Sequence, residues 1–480
     1  MTATRTSPSA VQRLPGPLFF GRLSGNRWSA LAVLMAGTFM FVLDFFIVNV
    51  ALPSIQHGLG VGESAIEWVV AGYAIATAVL LVTGGRLGDQ FGRRRVFALG
   101  MALFVLTSAA CALAPDPGVL VAARAAQGIG AALMAPNILS ILGVVYAGPE
   151  RVRAISVYGM VMGLAATSGQ LIGGVLIRAD LAGLGWRAIF WINVPIGLAA
   201  LLACPRLVPE SRADRGSRLD LAGVALITAC LVAVVLPLVD GRQAGWPAWS
   251  WAALAASVPL AAAFAAYQRR KAARGGVPLL SPRVFAAWPL RAGLITQTAF
   301  WCQQAASYLV IGLYLQQGRG LSPLAAGAVF TFLAAGYLAT SFKAPALTVR
   351  FGRRVIATGA VLAAAADGAL YLATAHGGAV AWLFPGLLLL GAGQGLCITP
   401  LTTTVLSHAD PATAGSVSGA LSTAQQVGNS IGVAVTGVLF FGAVSRGYGL
   451  AFERSVLQMG ALLLVVAALT RLMPGRQGTG

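Results

Sequence analysis

Residues 85–96 read GRLGDQFGRRRV and residues 348–357 read TVRFGRRVIA, so the tetrapeptide FGRR occurs at 91 and again at 351. Each copy separates two long apolar runs, and those runs decide the class of fold. Of 480 residues, 58% are hydrophobic and 10% charged, with a mean hydropathy of +0.80. That balance leaves too little polar surface to wrap a water-soluble globule, so the chain reads as an integral membrane protein.

Apolar segments of about 18–25 residues, the length a bilayer demands, number fourteen. They run over 30–52, 67–84, 96–114, 119–142, 154–177, 188–207, 219–239, 248–267, 290–315, 324–345, 354–374, 380–400, 415–441 and 455–473. The first lacks a small-residue cleavage site and is expected to be a retained span, not a signal peptide. The predicted fold is therefore an all-α membrane protein with fourteen transmembrane helices. An even number puts both termini on one side. On this layout most of the 33 Lys and Arg residues fall on that side, which predicts that it is cytoplasmic. Topology thus accounts for the formal charge of +19 without a nucleic-acid partner.

The two FGRR copies are too far apart for one module of six spans, but they fit two six-span halves with two spans inserted between them. The expected organisation is a cytoplasmic basic tail (1–29), an N-terminal six-helix half (30–207), a cytoplasmic loop (208–218), two inserted helices (219–267), a second loop (268–289), a C-terminal six-helix half (290–473) and a tail (474–480). Parallel repeats of this kind are an architecture of secondary transporters, with the substrate site between the halves. The five cysteines stand singly in apolar stretches, and His57, His376 and His408 fall near expected loops. Neither a disulfide framework nor a metal site is indicated.

Four motifs in order carry a family resemblance. LDFFIVNVALP (43–53), GRLGDQFGRRR (85–95), RAAQGIGAA (124–132) and WRAIFWINVPIG (186–197) resemble signatures of the major facilitator superfamily, specifically its fourteen-span drug/proton antiporter, or multidrug efflux, family. The likeness runs through nearly all of the spanning region. Two positions depart from the pattern. Gln170, in GQLIGG, stands where the antiporter signature has proline, and Phe46 stands where a threonine is usual.

Asp44 lies inside the first expected span, where an ionised carboxylate costs roughly 2.5–3.5 kcal/mol unless it meets partners or water. It is a candidate to alternate between a proton and a cationic substrate, and the resemblance implies that coupling role. Arg124 and Gln127, three residues apart, share a face of the fourth span. A fixed positive charge there can tune a nearby carboxylate, and the resemblance implies that Arg124 takes part in proton coupling. Asp367 is a secondary acid in the eleventh span, ranked lower because the family architecture makes that helix peripheral. Small residues at Gly128, Ala131, Ala132 and Ala135 point to close helix packing.

Polar stripes mark a candidate substrate cavity. Gln297, Trp301, Gln304 and Tyr308 fall on one face of the ninth span, and Ser418, Ser422, Gln425 and Asn429 repeat the spacing in the thirteenth. Ser156, Gly163, Thr167 and Gln170 share a face of the fifth, and Gln127 joins the set from the fourth. Interhelical hydrogen bonding competes as an explanation, most evenly for the thirteenth span. The mixture of aromatics and amides on the ninth suits a flat, amphipathic or cationic ligand.

In the loop between the second and third spans, Gly85, Gly88 and Gly92 permit a tight turn and Arg93 is placed to hold Asp89. Asp410 and Pro411 are placed to start the thirteenth span, turning its positive end toward the same membrane face. The resemblance implies that Asp89 latches this side shut, with Gly85, Gly92 and Arg93 shaping the latch.

Neither lysine, Lys271 or Lys343, sits in a Gly-Lys-Ser/Thr phosphate loop. The chain is expected to be no enzyme and to need no cofactor, drawing on a proton gradient. Expected partners are a small-molecule substrate, protons and the lipid bilayer, with no nucleic acid and no obligate protein partner. The leading expectation is a proton-driven exporter of hydrophobic, amphipathic or cationic drugs or antibiotics. The rival is a proton-coupled symporter importing a small polar nutrient. The Arg- and Ala-rich composition points to a bacterial cytoplasmic membrane.

Overall fold

A computed structural model describes residues 27–212, 220–276, 278, 282, 287–407 and 414–473. Among the described residues the architecture is helices and short turns, with no strand. The helices are α1 (Arg27–Leu59), α2 (Glu63–Phe91), α3 (Arg93–Ala112), α4 (Pro117–Val145), α5 (Gly148–Ala179), α6 (Ala188–Trp191), α7 (Asn193–Leu207), α8 (Leu221–Gln243) and α9 (Ala248–Ala273). They continue as α10 (Trp288–Leu313), α11 (Pro323–Ser341), α12 (Ala344–Phe351), α13 (Arg354–Ala375), α14 (Leu383–Ser407), α15 (Ala414–Val444) and α16 (Tyr448–Leu469).

Among the described residues, eleven helical segments are long and apolar enough to cross a membrane, and α2 makes a twelfth if its two arms form one bent span. This is fewer than the fourteen spans expected. The other two long helices in the sequence, α8 and α10, fall outside that set. In α10 the shortfall has a visible source: Arg291, Gln297, Gln303 and Gln304 dilute its apolar character. The expected sixth span, 188–207, is carried by α6 and α7, which join through the helical backbone of Ile192 and form one segment from Gly185 to Leu207. The expected span 324–345 ends at Ser341 and is followed by the short helix α12.

Helix α1 packs on α5, and α2, α3 and α4 pack on one another. Farther along, α10 pairs with α15, α11 with α14, and α13 with α14 and α16. The two groups meet where α5 crosses α11, α2 crosses α15 and α1 touches α10. Helices α8 and α9 pair together, and α8 lies against α2 and α15. Glycines let backbones touch at these crossings. A Cβ on Gly128 of α4 would stand 2.5 Å from the Tyr73 carbonyl of α2, and one on Gly327 of α11 would stand 2.5 Å from the Gln170 carbonyl of α5.

Both FGRR copies turn at their glycine. Gly92 has φ +110° between α2 and α3, and Gly352 has φ +57° between α12 and α13, conformations that favour glycine. Arg93 to Arg95 therefore start α3 at one end of the bundle, here called the basic end. There Glu210, just beyond α7, accepts from the Arg94 backbone N–H at 3.0 Å and lies 3.7 Å from the side chains of Arg94 and Arg95. The start of α1 is at this end too, where Tyr146 donates to the Arg27 carbonyl at 2.6 Å. Asp220 ties α8 to α9, accepting from Tyr267 (2.9 Å), Gln268 (2.9 Å) and Lys271 (2.8 Å). Burial raises the Asp220 carboxyl, but hydrogen bonds from Lys271, Gln268, the Gly223 backbone and Tyr267 outweigh it and hold it at about 2, below the ordinary 3.8.

Candidate functional site

Four helices converge on Asp44 in the middle of α1. The carboxylate is fully enclosed, with 0% exposure, as are Arg124 and Gln127 of α4 and Asn193 of α7. Arg124 Nη1 donates to Asp44 Oδ2. Gln127 Nε2 and Asn193 Nδ2 both donate to Oδ1, at 2.9 and 2.8 Å. Arg124 also donates to Gln127 Oε1 at 2.7 Å and, through Nε, to the Val69 carbonyl of α2 at 3.1 Å. Its guanidinium lies 4.4 Å from the centre of the Tyr73 ring. Ser108 of α3 accepts from Gln127 at 2.7 Å. The buried charge is thus paired, hydrogen-bonded and stacked, the three conditions that make it tolerable away from water.

The sequence expectation paired Asp44 with Arg124 in role but left their distance open, and the fold joins them directly. Asn193 and Ser108 were not anticipated. Asn193, at the start of α7, turns its amide toward Asp44, and the WINVP stretch, with Pro195 just inside α7, was the available signal.

A second feature lies toward the basic end. A narrow cleft, partly open to solvent, is bounded by α4, α5, α10, α14 and α15, with Gln297, Trp301, Ser422 and Gln425 among its lining residues. Of the eight residues expected to form the cavity, Gln297, Trp301 and Gln425 line it. Gln127 belongs to the Asp44 cluster instead, because its amide is fully engaged by Asp44, Arg124 and Ser108. Gln304 and Asn429 are buried away from the lining, and Asn429 donates to Gln426 at 3.0 Å. Tyr308 donates to Gln394 at 3.3 Å and packs against Phe46, with ring centres 4.8 Å apart.

Gln170 Nε2 donates to the Phe46 carbonyl at 2.9 Å. The two positions that depart from the family pattern therefore touch each other, joining α5 to α1 beside Tyr308. In the turn at the basic end, Arg93 donates to Asp89 through Nε at 3.0 Å and Nη2 at 2.8 Å. Gly92 forms the turn itself, and Gly85 faces Pro136 of α4. The expected counterpart of Asp89, Asp410 and Pro411 at the start of α15, lies outside the described residues, as do His408 and the Ser418 side chain. Asp367 is buried between α13 and α16, beside Gly460, and neither carboxylate oxygen has a hydrogen-bond partner among the described residues.

Comparison with known proteins follows the same lines. The family profile described as Major Facilitator Superfamily matches residues 34–433. A Streptomyces coelicolor protein named "Probable actinorhodin transporter" is 37% identical, over 91% of this chain and 77% of its own length. The "Cephamycin export protein CmcT" of Amycolatopsis lactamdurans is 34% identical over 95% of this chain and 94% of its own. Among solved structures, a proton:xylose symporter bound to 6-bromo-6-deoxy-D-glucose superposes with a TM-score of 0.66 at 16% identity, covering 95% of this chain and 97% of that one. At that identity the likeness speaks to fold alone.

Proposed function

The chain belongs to the major facilitator superfamily, and from that premise we propose that it is a proton-coupled efflux transporter, exporting hydrophobic or amphipathic drugs and antibiotics by alternating access. One observation carries the coupling: a carboxylate in mid-span, Asp44, sealed from solvent and held by one arginine and two amides. An acid so placed can load and release a proton only when the surrounding helices move, which ties protonation to conformation. The outward direction is supported by the relatives named as export and resistance proteins.

The proposal includes the topology. Fourteen spans form when the bent α2, α8 and α10 are added to the eleven. They make two six-helix halves, from α1–α7 and α10–α16, with α8 and α9 inserted between them. Both termini and the basic end face the cytoplasm of a bacterium, so the cleft is the drug entrance. Asp44 and Arg124 carry the proton, Gln297, Trp301 and Gln425 meet the drug, and Asp89 with Arg93 belongs to the closing device at the cytoplasmic side.

The test is reconstitution into liposomes containing a pH indicator, with an imposed proton gradient and a panel of lipophilic drugs. Drug-dependent proton movement is expected. A panel that is transported without proton movement removes the coupling, and proton movement in the same direction as the drug replaces antiport with symport.

A further inference from the structure

Among the described residues, the lining of the cleft carries no charge. Its lining comprises aliphatic, glycine and methionine positions together with Tyr158, Gln297, Trp301, Ser422, Gln425 and two threonines. The three buried acids of the described chain, Asp44, Asp220 and Asp367, all lie elsewhere. Asp44 faces Arg124, and Asp220 faces Lys271. Along the lining helices, the charged side chains that precede the cleft positions are cations: Arg151 and Arg153 come just before Ile155 on α5, and Arg291 comes before Gln297 on α10. Glu150 of α5 pairs with Arg27 at 3.5 Å.

Two polar atoms in this lining lack a partner among the described residues: the acceptor Oε1 of Gln297 and the donor Nε1 of Trp301, one helical turn apart on α10. Both residues are at least nine-tenths buried, at 2% and 3% exposure. A buried donor and acceptor without partners favour a ligand that supplies the complementary pair and penalise one that does not. A cation entering the cleft would lose water and find no counter-charge among the described lining residues, with only two aromatic rings to offset the loss.

Resting on the export reading above, we propose that the cleft selects uncharged planar molecules bearing carbonyl and hydroxyl groups, and discriminates against cations of the same shape. The Trp301 N–H donates to a substrate carbonyl and Gln297 Oε1 accepts from a substrate hydroxyl. The aliphatic wall formed by Leu139, Ile155, Met162 and Leu421 contacts the ring faces.

The experiment compares 1-hydroxyanthraquinone with the same ring carrying a trimethylammoniomethyl group, measuring binding to the full chain in lipid nanodiscs. The neutral ring is expected to bind at least about tenfold more tightly. Trp301→Phe and Gln297→Leu are each expected to weaken the neutral ring about tenfold, the ratio for one buried hydrogen bond, while leaving the cation unchanged. Equal or tighter binding of the cation, binding of neither ring, or wild-type affinity for the neutral ring in both variants overturns the proposal. Efflux of both rings from proteoliposomes separates the two readings. Preference without transport overturns export and leaves the cleft chemistry standing, whereas transport of both rings with equal affinity does the reverse.

Discussion

Replacing Asp44 by Asn removes the charge of the buried acid while keeping its shape. In the native cluster Oδ2 accepts from Arg124, and Oδ1 accepts from Gln127 and Asn193 at 2.9 and 2.8 Å. Asparagine offers one oxygen to these three donors and turns a further donor toward them. Arg124, at 0% exposure, keeps its charge with no counter-ion. Removing one partner of a buried pair costs about 3–5 kcal/mol. Equilibrium unfolding in detergent should therefore find Asp44→Asn less stable by about that amount. Adding Arg124→Gln should restore most of the loss by removing the stranded cation, and the double-mutant cycle should report a coupling of several kcal/mol. Drug-driven proton flux in proteoliposomes should be absent from both variants. Wild-type stability in Asp44→Asn would remove the ion pair from the energetics, and undiminished flux would remove Asp44 from the coupling.

Three further outcomes are expected. Gly327→Val places side-chain atoms where the Gln170 carbonyl already approaches to 2.5 Å, so the α5–α11 crossing must part; a destabilisation of about 1–3 kcal/mol and loss of transport follow, read by denaturant midpoint and drug efflux. Asp220, held at about 2 against an ordinary 3.8, contributes stability that is fully present above about pH 4 and is lost as pH falls toward 2. Asp220→Asn should flatten that acid limb of the unfolding profile; an unchanged limb refutes the α8–α9 tie. Asp367→Leu removes a carboxyl with no hydrogen-bond partner among the described residues, and should raise stability by about 1–3 kcal/mol with proton flux intact. Lost flux would instead make Asp367 part of the proton route.

Hydropathy carried the helical architecture because membrane spans must satisfy their backbone internally and present apolar side chains outward, both of which leave a mark in a linear sequence. The same rule explains where the reading of spans was soft. Helix α10 is lined with glutamines, so its role works against its hydropathy. Asp44 and Arg124 stood out because ions within spans are costly, yet their 80-residue separation is closed only by the rotation of α1 and α4 about their axes, which no local pattern encodes. Asn193 and Ser108 are small polar residues of a kind that also satisfies helix backbones, so nothing marked them as a carboxylate's neighbours. Glu210 and Asp220 were overlooked for the opposite reason: they border a strongly basic loop, and the surrounding arginines hid two acids that tie α3 to the end of α7 and α8 to α9. Gly128 was read as a packing position, and the Tyr73 carbonyl beside it bears that out.

The contact between Gln170 and Phe46 has a mechanical side. A proline at 170 would delete a backbone hydrogen bond and bend the helix; with glutamine, α5 runs 32 residues from Gly148 to Ala179 without an internal proline beyond its first turn. Near its far end, Gly174 rests against the backbone of Pro323 and Leu324, and nearer the basic end Tyr337 of α11 donates to the Gly159 carbonyl at 2.9 Å. The stretch between these two contacts is about 22 Å long at 1.5 Å per residue. A rod without a proline hinge, tied to its neighbour at both ends, passes a tilt from one end of the bundle to the other as one body.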